Sequence, residues 1–171
     1  QEGLVIHTPE WHGILMKFYH EVDQTQREQQ MQNWLAEQLS PYFRIGREVT
    51  GISARGGNRV RIDLLCKARE KIVTRTGLTS QPFGIEAKYI LGRTEDKAAK
   101  CSVWAAQMMQ YLHSKFWHKG QQEYCLVPAF ILSAPSLPTV EPTFKEASYV
   151  MSQMGIGCLY FRPQRNYDAP K

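Results

Sequence analysis

The chain has 171 residues, 43% of them hydrophobic and 22% charged, the balance of one ordinary globular domain. That excludes a disordered, collagenous or fibrous chain, and at this length roughly 70% of the unfolded surface is buried, so the core needs no staples. Lys plus Arg (21) against Asp plus Glu (16) leaves +5, an excess that suits a polyanionic partner.

Taken in chain order, residues 9–20 are predicted to form a short helix with Trp11, Ile14, Leu15 and Phe18 on one side. His7, Pro9, His12 and Lys17 interrupt this stretch too often for the apolar segment of a signal peptide. Residues 25–40 read as a firmer helix, with Met31, Trp34, Leu35 and Leu39 at helical spacing and Pro41 closing it. Strands are expected over 44–53 and 58–66, joined by a turn at Gly56-Gly57. In the second, Val60, Ile62, Leu64 and Cys66 alternate against Arg61, Asp63 and Leu65. A polar, basic connection over 67–80 holds Lys67, Arg69, Lys71 and Arg75. Residues 82–91 read as the next strand. Thr94 is suited to cap a long helix running to about Trp117, with Glu95 and Asp96 in its first turn. A buried strand over 126–134, a helix near 143–154 and a last strand over 156–162 complete the pattern. This mixture predicts an α/β fold with a central mixed sheet flanked by helices.

Cys66, Cys101, Cys125 and Cys158 lie far apart, with no zinc-ribbon spacing, and read as free thiols of a reducing compartment. No apolar run approaches the ~18 residues that cross a bilayer. A cytoplasmic protein without membrane contact is expected. The five histidines form no ligand set, and Ser, Cys and His show no arrangement for nucleophilic catalysis.

Asp63, Glu86 and Lys88 stand inside strands where apolar residues are expected. Residues two apart in a strand point to one face, so Glu86 and Lys88 share a face while Ile85, Ala87 and Tyr89 take the other. If the two strands pair, Asp63 lies beside Glu86. Neighbouring carboxylates raise each other's pKa and call for a cation, and oxygen donors alone favour Mg²⁺. An ion pair between Glu86 and Lys88 on a solvated face is the plain structural alternative.

Asp63, followed 23 positions later by Glu86-Ala87-Lys88, resembles the signature of the PD-(D/E)XK nuclease superfamily. Gln107 to Tyr111 is similar to the Q-x-x-x-Y element of its RecB-type members. The residue before the first acid is Ile62 where the family often has Pro. The resemblance implies a restriction-endonuclease-like αβββαβ core over about 25–134 within a single domain, 1–171. Residues 135–171 would form a C-terminal helix and strand extension.

It further implies Mg²⁺ or Mn²⁺ held by Asp63, Glu86 and the Ala87 carbonyl, and Lys88 positioning or activating a water. Gln107 would orient a water or the scissile phosphate. Many members place another Glu near the metal; Glu28 is favoured by its place at a helix start, with Glu37 and Glu48 as rivals. The implied activity is metal-dependent hydrolysis of DNA, structure-dependent or weakly sequence-selective. A Holliday-junction resolvase, which would require a homodimer, is one variant within that class. A protein partner supplying specificity is a further expectation. The competing class is a non-catalytic nucleic-acid-binding module on the same fold, and RNA is not excluded as substrate.

On the long helix, Lys97, Lys100, Trp104, Gln107, Tyr111 and Lys115 fall along one stripe. Ala98, Ala105, Met109, Leu112 and Phe116 fall on a neighbouring apolar stripe suited to the sheet. The first stripe reads as an outward surface for phosphates and unstacked bases. Arg55, Arg59 and Arg61, beside the Gly-Gly turn, add to the expected nucleic-acid surface.

Overall fold

The computed structural model describes residues 6–8, 24–77, 80–88, 94–117, 125–126, 129–132, 142–156, 158–159 and 161–163. The expected helix over 9–20 and the tail beyond 163 lie outside them. Met31, Leu35 and Leu39 recur every four residues, so helix α1 (Gln24–Leu39) buries one stripe. That stripe meets strand β2 (Phe43–Ser53), strand β3 (Arg59–Ala68) and strand β4 (Phe83–Ala87) through Phe43, Leu64, Cys66, Ala68, Ile85 and Ala87. On the other face lies helix α3 (Thr94–Leu112), which packs Cys101, Trp104, Met108 and Tyr111 against Val49, Val60, Ile62 and Leu65.

The main sheet has seven strands in the order β6-β5-β2-β3-β4-β7-β8. Here β5 is Ser114–Phe116, β6 Cys125–Leu126, β7 Ala129–Leu132 and β8 Cys158–Leu159. Pairing is antiparallel from β6 through to β4 and parallel from β4 through β7 to β8. Strand β1 (Ile6–Thr8) pairs parallel with β9 (Phe161–Pro163) in a separate two-stranded sheet. Helix α4 (Pro142–Gln153) brings Met151 into the α3 cluster. The architecture is mixed α/β. Among the described residues no helix is long and apolar enough to cross a membrane.

Two expected element boundaries are corrected. The basic connection after β3 contains helix α2 (Glu70–Thr76), which buries Ile72 and ends where Gly77 takes φ 68° and donates its N–H to the Val73 carbonyl. The run of charges hid two inward side chains, Ile72 and the partly buried Val73. Helix α3 stops at Leu112 instead of continuing to Trp117, because residues 114–116 pair with β2. No Gly or Pro marks that boundary; tertiary pairing overrides helical propensity there.

The close approach of β5 depends on a glycine. A Cβ on Gly51 would lie 2.6 Å from Phe116 Cδ1 and 2.7 Å from the Lys115 carbonyl oxygen. Gly51→Ala is therefore expected to cost about 1–3 kcal/mol through forced displacement of β5. Thermal unfolding would register this as a drop of several degrees, and an unchanged midpoint would contradict it.

The β2–β3 ladder is interrupted at one place. Arg47 pairs with Leu64 and Val49 with Ile62, and between these pairs lie Glu48 and Asp63. Glu48 adopts φ 50°, a left-handed conformation that costs a non-glycine residue about 1–2 kcal/mol. Alternation changes phase at the same level. Val60 and Ile62 pack under α3, whereas Leu64, Cys66 and Ala68 pack under α1 and Leu65 returns to the α3 side. The expected unbroken alternation from Val60 to Cys66 is thus corrected at Asp63.

Candidate active site

Leu64 pairs with Ile85 across antiparallel β3 and β4, so the next position along each strand sets Asp63 against Glu86. Asp63 Oδ2 accepts the backbone N–H of Ala87 at 2.9 Å, which ties the first carboxylate to the strand bearing the second. Ile85 and Ala87 point into the α1 cluster, which leaves Glu86 and Lys88 to the other side of the strand. Lys88 Nζ lies 3.0 Å from Glu86 Oε1 and 3.2 Å from Glu28 Oε1 near the start of α1.

Glu86 is only 2% exposed, so its environment decides its charge. Burial pushes its carboxyl upward, while the charge and hydrogen bond of Lys88 work against that rise. Asp63 is pushed up to about 7, first by burial and then by the negative charge of Glu86; the Ala87 N–H and Lys88 only partly offset this. Burial lowers the Lys88 ammonium, but Glu86 and Glu28 together outweigh it and leave the pKa raised. Lys88 is therefore a protonated hydrogen-bond donor in this arrangement.

Helix α3 supplies the next layer. Gln107 and Tyr111 are one turn apart, and Gln107 Nε2 donates to the Tyr111 hydroxyl at 2.8 Å. That hydroxyl donates to the Arg61 carbonyl at 2.5 Å and stands 3.3 Å from Glu86 Oε2. Tyr111 thus fixes α3 to β3 beside the buried acid. Tyr111→Phe would leave the Arg61 carbonyl without this donor and Gln107 without this acceptor, and is expected to destabilise the fold by about 1–3 kcal/mol. A thermal melt equal to wild type would remove Tyr111 from that role.

These groups border a cleft of about 630 Å³ lined by Asp63, Glu86, Lys88, Glu28, Gln107, Glu48, Arg61, Lys100 and Trp104, with Gln29 and Gln32 from α1 and Ala99 and Val103 from α3. The sequence expectation that Asp63, Glu86, Lys88, Gln107 and Glu28 lie together agrees with this geometry. Glu48 is also on the wall, where its Oε2 holds Arg61 Nη1 at 2.8 Å, whereas Glu37 is exposed and is not among the lining residues. Gln29 and Gln32 were not singled out by the sequence; a Gln-rich helix start gives no hint of which residues face inward.

The expected outward stripe on α3 is corrected. Trp104 is 0% and Tyr111 2% exposed, so both belong to the core and neither ring offers a face to a base. Their polar atoms suggested a surface, yet a buried tyrosine needs only local partners, and Tyr111 has them. Met109 and Ala105 flank the buried stripe without forming its centre. Lys115 leaves the helix for β5. Arg59 is exposed outside the cleft, and Arg55 borders a separate cavity of about 290 Å³ with Ser53, Met109, Gln110 and His113. The side chain of Lys97 lies outside the described residues, as do those of Thr94, Glu95 and Asp96.

Among the described residues no group of three or more His, Cys, Asp or Glu side chains forms a metal-ligand cluster. Cys66 and Cys101 are buried free thiols, and burial pushes Cys66 up to about 12. The acids that could share a divalent cation are Asp63 and Glu86, an all-oxygen pair whose raised affinity for protons is the chemistry a hard cation would satisfy in their stead. In an extended residue the N–H and C=O leave on the same edge, so the Ala87 carbonyl lies on the Asp63 side of β4. Comparison with family models, with curated proteins and with solved structures finds no match to this chain.

Proposed function

We propose that the protein is a metal-dependent DNA endonuclease of the PD-(D/E)XK type. The observation that carries the reading is the convergence of Asp63, Glu86 and Lys88 across one antiparallel strand pair, with Lys88 Nζ 3.0 Å from Glu86 Oε1. The order α1, β2, β3, β4, α3, β7, with α2 and the short β5 and β6 as insertions, supports a restriction-endonuclease-like core.

Asp63, Glu86 and the Ala87 carbonyl would hold Mg²⁺ or Mn²⁺. Such an ion supplies a Lewis acid that polarises the scissile phosphoryl group and lowers the pKa of a bound water. Lys88, fixed by Glu86 and Glu28, donates hydrogen bonds to the attacking water or to charge building on the phosphoryl oxygens. Gln107, held by the Tyr111 hydroxyl, orients that water or the scissile phosphate. Glu28 sets the position of Lys88 and would tune a second cation. Arg61 and Lys100 on the cleft wall would meet flanking phosphates.

The test is a gel assay of the purified protein on supercoiled plasmid, linear duplex, single strands and a four-way junction, each with Mg²⁺, Mn²⁺ or EDTA. Metal-dependent cutting is expected, and the preferred substrate defines the subclass. Salt-sensitive binding without cutting under any of these conditions would replace the enzyme with a nucleic-acid-binding module.

A further inference from the structure

Helix α3 covers one face of β5, β2 and β3, where Gly51, Ser53, Val60, Ile62, Ser114 and Phe116 are buried. The opposite face at this end of the sheet is exposed. Its side chains follow from the register: Ile52 pairs with Arg59 on β3 and with Lys115 on β5, giving one row across three strands. Thr50 pairs with Arg61 in the next row, and Trp117 follows Lys115 by two residues. Arg59, Arg61 and Lys115 are exposed, and Ile52 and Trp117 are 37% and 36% exposed. Beyond Arg61 the same strand reaches Asp63.

We propose that this sheet face is a track for single-stranded DNA, laid from the hairpin end toward Asp63. The proposal rests on the cleft being a phosphodiester-cleaving site. Arg59, Lys115 and Arg61 stand on these rows, Arg61 held by Glu48 at 2.8 Å, so Arg59 and Lys115 carry the charge by which the face complements a polyanion. At ~3.3 Å per residue, Arg59 lies roughly 13 Å along β3 from Asp63, within reach of the phosphates next to the scissile one. The side chain of Ile52 on this face, with the half-exposed indole of Trp117 just past the end of β5, offers apolar surface to unstacked bases, which a duplex keeps stacked on one another. Glu86, 2% exposed at the floor of the cleft, sets a depth that a single strand meets more readily than a duplex.

The test measures fluorescence anisotropy of a labelled 20-nucleotide oligothymidine and of a hairpin duplex, both with the full chain in EDTA. Arg59→Glu with Lys115→Glu is expected to weaken oligothymidine binding by about tenfold or more. It should also flatten the dependence of log affinity on log salt by roughly 1.4, the value for two lost phosphate contacts on a single strand. Trp117→Ala should weaken the single strand by at least about fivefold and leave the duplex unchanged. Arg59→Lys with Lys115→Arg should retain binding.

Unaltered oligothymidine affinity in the charge-reversed protein would overturn the proposal, as would an equal loss on the duplex. A concentration-dependent dimer that the charge reversal dissolves would also overturn it, by assigning the face to a second copy of the chain. Wild-type protein that binds through these residues yet never cuts would retain the track and refute the nuclease. Cutting and single-strand binding that both survive charge reversal would do the opposite.

Discussion

Asp63→Asn is expected to lower metal-dependent cleavage by at least about 10³-fold and, unusually for an active-site change, to raise the melting temperature. Both effects come from the same electrostatics. On the proposed mechanism this carboxylate would hold a cation and face developing charge at phosphorus, so its removal would cost about 4 kcal/mol or more in the transition state. The same carboxylate is a burden to the metal-free fold, since burial and Glu86 push it up to about 7 from an ordinary 3.8.

The sign of the pH dependence follows. The folded protein binds this proton more tightly than the unfolded chain, so the stability it contributes is fully present below about pH 4. It is lost as the pH rises through about 7. Metal-free wild type should therefore melt at lower temperature at pH 8 than at pH 5. Asp63 is partly open to solvent, so we expect a contribution of roughly 1–2 kcal/mol, or about 3–6 °C. The Asn variant should lack this component, and Mg²⁺ added at pH 8 should stabilise wild type but not the variant. Melting curves at the two pH values, with and without Mg²⁺, check all three statements. An Asn variant that melts below wild type at pH 8 without metal would show that Asp63 serves the fold.

Lys88→Met is expected to have the opposite effect on stability and the same effect on cutting. Met keeps an unbranched apolar stem and loses the ammonium that lies 3.0 Å from Glu86 and 3.2 Å from Glu28. Glu86, already pushed upward by burial, would then have lost its strongest offsetting charge. Stranding a buried carboxylate in this way costs about 3–5 kcal/mol at pH 8, on the order of 10 °C. Acid should rescue the variant, because protonation of Glu86 removes the uncompensated charge. The expected signature is a large melting deficit at pH 8 that shrinks at pH 5, with no cleavage at either pH. A deficit independent of pH would mean that Lys88 acts through packing alone.

Much of the site was legible in the sequence because charged side chains inside strands are costly unless they have partners. Asp63, Glu86 and Lys88 broke the apolar pattern, and period-2 geometry put the last two on one face. Gln107 and Tyr111 were found as a spaced pair, but spacing carries no sense of inside and outside. Tyr111 with Trp104 proved to be core, packed in one cluster with Val60, Ile62 and Met108. The end of α3 and the existence of α2 depended on contacts between distant residues, Gly51 with Phe116 and Val73 with the cluster under α1, which no local window contains. Glu48 was weighed as a further acid on a regular strand; only the break in the ladder reveals its left-handed backbone.

That break bears on how the chain finds its pairing. An antiparallel hairpin can slip by two residues at small cost, because each side chain stays on its own side of the sheet. Here such slippage is penalised in either direction. Shifting β3 by two would carry Ile62 or Leu64 across the point where the strand changes faces, and would turn a side chain away from the helix cluster it packs in. One alignment alone satisfies both compartments. The local cost at Glu48 thus secures uniqueness of pairing, and the two acids are set opposite each other by folding itself, before any ion or substrate arrives.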